Sequence, residues 1–244
     1  MSIDIKNTKK IDNNLALTTK ILKENKIPFW LCGGTLLGIF RDKKLIEHDS
    51  DIDLAIWDNA ITKERLIEIM IANNFKPEKK FFFGDGICTF HKDGGKNVDI
   101  HFYEVLYNKF LKKDVAIVFQ NYLPKNIFMK FIDAVSISNN YNGKFKYLIK
   151  VLYIFQPFFK FIKSILVKKK MFYNAIGNSE PLELLKDFKK IDFFGFELRI
   201  PSRTEEYLKF IYGDEWKVPD NNFHYYHYMN ENAGESEKII IKKI

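Results

Sequence analysis

Apolar positions recur at helical spacing over residues 11–26, where Ile11, Leu15, Thr18 and Leu22 share a face and Pro28 closes the segment. Residues 29–32 form a short apolar run suited to a buried strand, and Gly33-Gly34-Thr35 then opens a short apolar helix over 36–40. From Asp51 to Trp57 the chain alternates. Ile52 and Leu54 point one way, Asp51 and Asp53 the other. Helical period returns over 61–74, with Ile61, Leu66, Ile69 and Met70 apolar. Residues 80–105 read as antiparallel strands, with a hairpin at Gly84-Asp85-Gly86 and a second turn at 92–96. In the strand after that turn Val98, Ile100 and Phe102 face one side, Asp99 and His101 the other.

The second half is predicted from the same periodicities. Residues 145–167 carry Lys146, Lys150, Lys160 and Lys163 on one side of a helix and a wide Phe/Ile/Leu face on the other, with Pro157 as a candidate kink. A basic face opposite an apolar one, followed by Lys168-Lys169-Lys170, is the pattern of a helix lying in a membrane interface. The alternative is a helix packed on the domain core. Pro181 to Lys186 is expected to start another helix, with Ser179 or Glu180 near its cap. Residues 193–200 read as one strand. Ser202 caps a helix with Glu205 as its capping-box partner, and Gly213 stops it. Strand-helix-strand-helix followed by antiparallel strands is an α+β order.

At 244 residues, 46% of them hydrophobic, the chain is long and apolar enough to bury a substantial core, which excludes a disordered chain. The expectation is a single domain over 1–244, with 145–170 as a basic amphipathic helical insertion and 220–244 as a C-terminal extension. A formal charge of +8 favours an anionic partner, yet no stacking or RNA-recognition motif is present, so no nucleic acid is expected. Residues 1–10 lack the apolar stretch of a signal peptide, and no run reaches the length that spans a bilayer. A cytoplasmic protein, peripheral on the inner face of the membrane, is the expectation. Cys32 and Cys88 sit in apolar contexts and read as reduced thiols.

The chemistry concentrates in residues 33–53. Two carboxylates on one strand face repel each other unless a cation joins them, and oxygen ligands suit Mg²⁺ or Mn²⁺. Gly33 and Gly34 let backbone approach a phosphate closely, and Thr35 adds a hydroxyl. Together they describe a site for phosphoryl transfer from a nucleotide. Two rivals fail on spacing. A calcium loop starting at Asp49 needs Gly and Glu where Leu54 and Ala60 stand, and a P-loop needs Lys-Ser/Thr where Ile39-Phe40 stand. A turn followed by an acidic solvated strand edge is the plain alternative, but it leaves the apolar neighbours Ile52, Leu54 and Ile56 unexplained. Asp99, flanked by Val98 and Ile100, needs a partner of its own, a lysine being the plain one. Cys88, His91, His101 and the pair His224 and His227 match no standard zinc spacing, and His101 is left to contact substrate or to pack.

Three segments resemble the LicD/fukutin family of phosphotransferases. They are Gly33-Gly34-Thr35-Leu36-Leu37-Gly38 with Arg41 and Asp51-Ile52-Asp53; Lys96-x-Val98-Asp99-Ile100-x-Phe102-Tyr103; and Tyr207-Leu208 with Tyr212-Gly213-Asp214-x-Trp216-x-x-Pro219. The resemblance implies a nucleotidyltransferase-like mixed sheet flanked by helices. It implies metal-dependent transfer of a phospho-alcohol from a CDP-linked donor to a hydroxyl of a glycan or its lipid-linked precursor. By the same resemblance Asp51, Asp53 and Asp99 are the metal and catalytic carboxylates, with Asp99 as third ligand or as base. Gly33, Gly34 and Thr35 would hold the donor phosphates, and Arg41 would clamp developing negative charge. The competing outcomes are transfer of the nucleoside monophosphate itself and a non-catalytic scaffold. Many relatives carry Pro-Trp-Asp-Asp before Asp-Ile-Asp; here Glu47-His48-Asp49-Ser50 stands, which leaves the donor's alcohol open.

Overall fold

The computed structural model describes residues 11–78, 86–109, 112–137, 143, 145–169, 171–220 and 239–243. The chain divides into two compact units. The first comprises Met1–Glu78, Gly86–Val118 and Ser179–Lys238, and the second Lys79–Asp85, Phe119–Asn178 and Ile239–Ile244.

In the first unit α1 (Asn13–Glu24) starts at Asp12, whose carboxylate accepts from the N–H groups of Asn14 and Leu15. A second Asp12 oxygen accepts from the Lys96 N–H, and the buried Asn14 amide donates to the carbonyls of Lys92 and Lys96. The helix start therefore also fixes the turn that feeds the central strand. Leu15, Thr18 and Leu22 are buried, as their spacing predicts.

The sheet is mixed. β1 (Trp30–Leu31) pairs antiparallel with β2 (Asp51–Trp57), and β2 runs parallel to β5 (Asn97–Asn108). Between them the chain makes α3 (Lys63–Ala72), β3 (Lys76–Pro77) and β4 (Ile87–His91), which pairs antiparallel with β5. The far half of β5 pairs antiparallel with the start of β6 (Lys113–Pro124). Ile52, Leu54, Val98 and Ile100 are fully buried beneath this sheet, each contributing about 1.5–3 kcal/mol by leaving water. The hairpin read at Gly84–Gly86 lies outside the described residues.

Three expectations for the first unit are corrected. Pro181 to Lys186 does not start a helix; only a single 3₁₀ turn, Leu182–Leu184, forms there. The apolar run 193–200 is not one strand but the corner of a hairpin. β8 (Phe188–Phe193) turns through Phe194 and Gly195, both at positive φ, into β9 (Phe196–Pro201). Ser202 does not cap α7 (Thr204–Tyr212). That helix starts after Arg203 with no side-chain cap, and the buried Thr204 hydroxyl donates back to Pro201 O. Gly213, at φ 84°, does end it.

The second unit contains α4 (Ile127–Ser136), α5 (Lys146–Val151), a 3₁₀ turn (Leu152–Phe155) and α6 (Gln156–Lys168). Strand β10 (Ile239–Lys243) pairs antiparallel with β7 (Tyr173–Pro181), so part of the 220–244 extension is a strand. Pro157 sits in the first turn of α6, where its missing N–H costs nothing, so it starts a helix rather than kinking one. Lys163 is not on a solvated basic face: its ammonium pairs with Asp133 at 2.7 Å. Among the described residues no helix is long and apolar enough to cross a membrane.

Candidate active site

The parallel register of β2 and β5 builds the site. It sets Asp53 beside Asp99, Asp51 beside Asn97 and Ala55 beside His101. Side chains alternate, so the face that carries the carboxylates is opposite the one that buries Ile52, Leu54, Val98 and Ile100. Ligand atoms converge in two groups that share Asp53. In Asp49, Asp51 and Asp53, and again in Asp53, Asp99 and His101, the atoms lie within 4.8 Å of one another.

Each carboxylate is held differently. Asp53 accepts from the Gly34 N–H at 3.0 Å through one oxygen and lies 3.2 Å from His101 Nε2 through the other. Its own N–H donates to the Thr35 hydroxyl at 2.8 Å. Asp99 has a hydrogen bond from Thr89, opposite it on β4, but its Oδ1 is buried with no partner. A buried oxygen without a partner is costly, and with the carboxylates of Asp51 and Asp53 nearby it marks a place for a cation. Burial pushes the Asp99 carboxyl up, against the hydrogen bond from Thr89. Asp49 is pushed up to about 7, first by burial, then by its hydrogen bond to Asp51 and the charges of Asp51 and Asp53. Lys96 anchors this corner by donating to the carbonyls of Ile46 and Asp49. Burial alone would lower the His101 pKa, but the Asp53 hydrogen bond and neighbouring carboxylates raise it overall.

The glycines are explained by these carboxylates. Gly33 has φ +51°, and a Cβ there would overlap Asp53; a Cβ on Gly34 would overlap Asp49. The Gly34 N–H serves Asp53 in this structure, and the Thr35 hydroxyl accepts from the Asp53 N–H and is buried there rather than open to a phosphate. Arg41 is likewise engaged. Its guanidinium forms a bidentate pair with Asp42 and donates to the Trp216 carbonyl at 3.1 Å. It follows the short helix α2 (Gly33–Leu37) in a π-helical turn, Gly38–Asp42, where Phe40 also meets the Trp216 ring. Two sequence motifs 175 residues apart are thereby joined.

A second buried group lies in the same unit. Glu180 accepts from Tyr103 at 2.9 Å and Tyr207 at 3.0 Å. Burial pushes it up to about 7. Tyr103 also packs on Trp30, whose ring meets Trp57 and Phe188. Asp49 and Glu180 are additions to the residues expected from sequence, and His101, expected to contact substrate or to pack, joins the Asp53–Asp99 group. Asp49 and His101 continue the period-two alternation of Asp51-Asp53 and of Asp99. His91 bonds Asn97, and among the described residues neither it nor Cys88 joins a ligand group.

An acidic, cation-ready face on a mixed sheet behind a glycine turn defines a transferase of the nucleotidyltransferase-domain type. The chain belongs to the LicD/FKTN/FKRP family, whose nucleotidyltransferase-domain model matches residues 26–148. No curated protein matches the sequence significantly. Among solved structures, the lincomycin-bound lincosamide antibiotic adenylyltransferase LnuA superposes with a TM-score of 0.43 at 11% identity, over 91% of this chain and 94% of that one. Activity does not transfer at that distance.

Proposed function

We propose that the protein transfers a phospho-alcohol (phosphocholine, ribitol phosphate or glycerol phosphate) from a CDP-linked donor to a hydroxyl of a cell-surface glycan or its lipid-linked precursor, in the cytoplasm. The observation that supports this best is the pair of ligand groups sharing Asp53, with Asp51, Asp53, Asp99 and His101 on one face of β2 and β5 and Asp49 just ahead of β2, and with Asp99 Oδ1 left unsatisfied. Asp51, Asp53 and Asp99 are the ligands we assign to Mg²⁺ or Mn²⁺, with Asp49 and His101 beside them. Such an ion would neutralise charge at the donor pyrophosphate.

The acceptor oxygen forms a bond to the phosphorus that carries the alcohol. The phosphoanhydride bond breaks and CMP leaves with the bridging oxygen. The hydroxyl proton passes to a carboxylate, and Asp99 suits that role where it does not complete the ligand set. Gly33, Gly34 and Thr35 shape the turn against which the phosphates rest. Arg41 we assign to holding Asp42 and Trp216 in place, and so to positioning the donor edge rather than clamping charge.

The test incubates the purified chain with CDP-alcohols, acceptor glycan and Mn²⁺ and identifies the nucleotide released. CMP is expected. A parallel incubation replaces the CDP-alcohols with nucleoside triphosphates; pyrophosphate released there, with no CMP from any CDP-alcohol, would instead make it a transferase of the nucleoside monophosphate. Asp51→Asn should lower turnover by about a thousandfold or more with an unchanged far-UV circular dichroism spectrum. Retained turnover would remove the carboxylate assignment.

A further inference from the structure

Helices α4 and α6 pack on each other through Ile132 and Val135 on one side and Phe159, Ile162 and Leu166 on the other. That contact uses the apolar positions a helix pair needs for its own core. A second set remains outside. On α4, Ile127 is 82% exposed and Phe128 61%. Ile154, in the 3₁₀ turn, is 80% exposed, and Phe158 and Phe161 on α6 are 59% and 65%. Side chains of this size, on consecutive elements of one unit, exceed the scatter of single surface apolar residues.

The charge around them has one sign. Residues 125–169 hold nine lysines and a single acid, Asp133. Asp133 is consumed by Lys163 and by the Tyr173 hydroxyl. Lys130, Lys146, Lys150, Lys160 and Lys168 are left with no acid of this segment to face. A second copy seated on this surface would bring lysines against lysines, which opposes self-association. An anionic lipid surface supplies both the missing negative charge and an apolar layer.

We infer that α4, α5, the 3₁₀ turn and α6 form a monotopic docking surface for a bilayer containing anionic phospholipid. The helices lie in its interface, and Ile127, Ile154, Phe158 and Phe161 enter the acyl boundary while the lysines meet head groups. The docking is independent of the transfer chemistry, because none of its residues belongs to the candidate active site.

The full chain is mixed with vesicles of phosphatidylcholine alone and of phosphatidylcholine with phosphatidylglycerol in equal parts, and the bound fraction is measured by sedimentation. Binding to the anionic vesicles, weakened by high salt, is expected. Ile154→Asp with Phe158→Asp should lower the partition coefficient about tenfold or more. Lys150→Gln with Lys160→Gln should lower it about thirtyfold on anionic vesicles and leave neutral ones unchanged. Both pairs lie at exposed positions, and an unchanged thermal midpoint confirms that each variant folds. Absence of wild-type binding to either vesicle overturns the inference. So does a dimer by light scattering that the Asp pair dissolves while vesicle binding stays absent. Equal, salt-insensitive binding to both vesicles overturns the anionic requirement.

Discussion

Glu180 has its carboxyl raised by burial, although Tyr103 and Tyr207 both donate to its charged form. Its native value is about 7 against 4.5 in an ordinary glutamate. The folded protein therefore holds this proton over a range where the unfolded chain has lost it. The stabilisation is complete below the unfolded value and is lost as pH rises toward 7, by about 2–3 kcal/mol. Denaturant midpoints measured between pH 4.5 and 8 should fall with pH in the wild type. They should fall less steeply in Glu180→Gln, the remaining slope coming from Asp49 and Asp99, raised first by burial, and from His101, raised against its burial by Asp53 and its neighbours. Identical slopes in the two proteins would show that Glu180 titrates normally. This residue was not legible in the sequence, because its partners lie 77 and 27 residues away and nothing local announces a buried carboxylate. Asp53 and Asp99 were legible, since apolar neighbours on both sides left each carboxylate without a local reason to be there. His101 was already on the Asp99 face by the same alternation, and Asp49 needed only that spacing carried two residues ahead of β2.

Among the elements, the contrast is between β2 and the β8–β9 hairpin. Alternation in 51–57 and 97–103 foretold two strands and the face of every side chain, and their parallel pairing then aligned Asp53 with Asp99. Residues 193–200 carry no such alternation. A run of Phe193, Phe194, Gly195 and Phe196 looks like a buried strand, and the turn falls on a residue that rarely adopts it. Phe194 stands at φ 52°, a left-handed conformation unfavourable for a bulky side chain, before Gly195 at φ 81°. Asn-Gly is the preferred pair for such a two-residue turn. Phe194→Asn should therefore raise stability by about 0.5–1 kcal/mol, seen as a higher urea midpoint. A lower midpoint would mean that the Phe193–Phe194 ring contact, with centroids 4.6 Å apart, outweighs the backbone strain. The amphipathic stretch 145–167 packs part of its apolar face against α4, and the sequence could not say how much. Periodicity shows how many apolar positions a helix has, but not that α4 covers only some of them.

For the molecule as a whole, the α+β order and the family were legible, because the strands that carry the carboxylates are short in sequence and strongly patterned. How far apart segments close on one another was not. Arg41 reaching the Trp216 carbonyl and Asp12 reaching the Lys96 N–H are contacts of chain topology, invisible to any window of residues. The hold of Asp53 on the Gly34 N–H has a consequence for how the ligands bind. A pyrophosphate approaching that turn meets a carboxylate already seated there, anion against anion. Nucleotide affinity should therefore be weak in a chelator and should rise about tenfold or more once Mn²⁺ is added, as read by titration calorimetry with a CDP-alcohol and no acceptor. Equal affinity in both conditions would show that the turn accepts phosphate unaided. A tenfold rise would make ion and donor reciprocal aids: each would tighten the protein's hold on the other by the same factor, whichever arrived first.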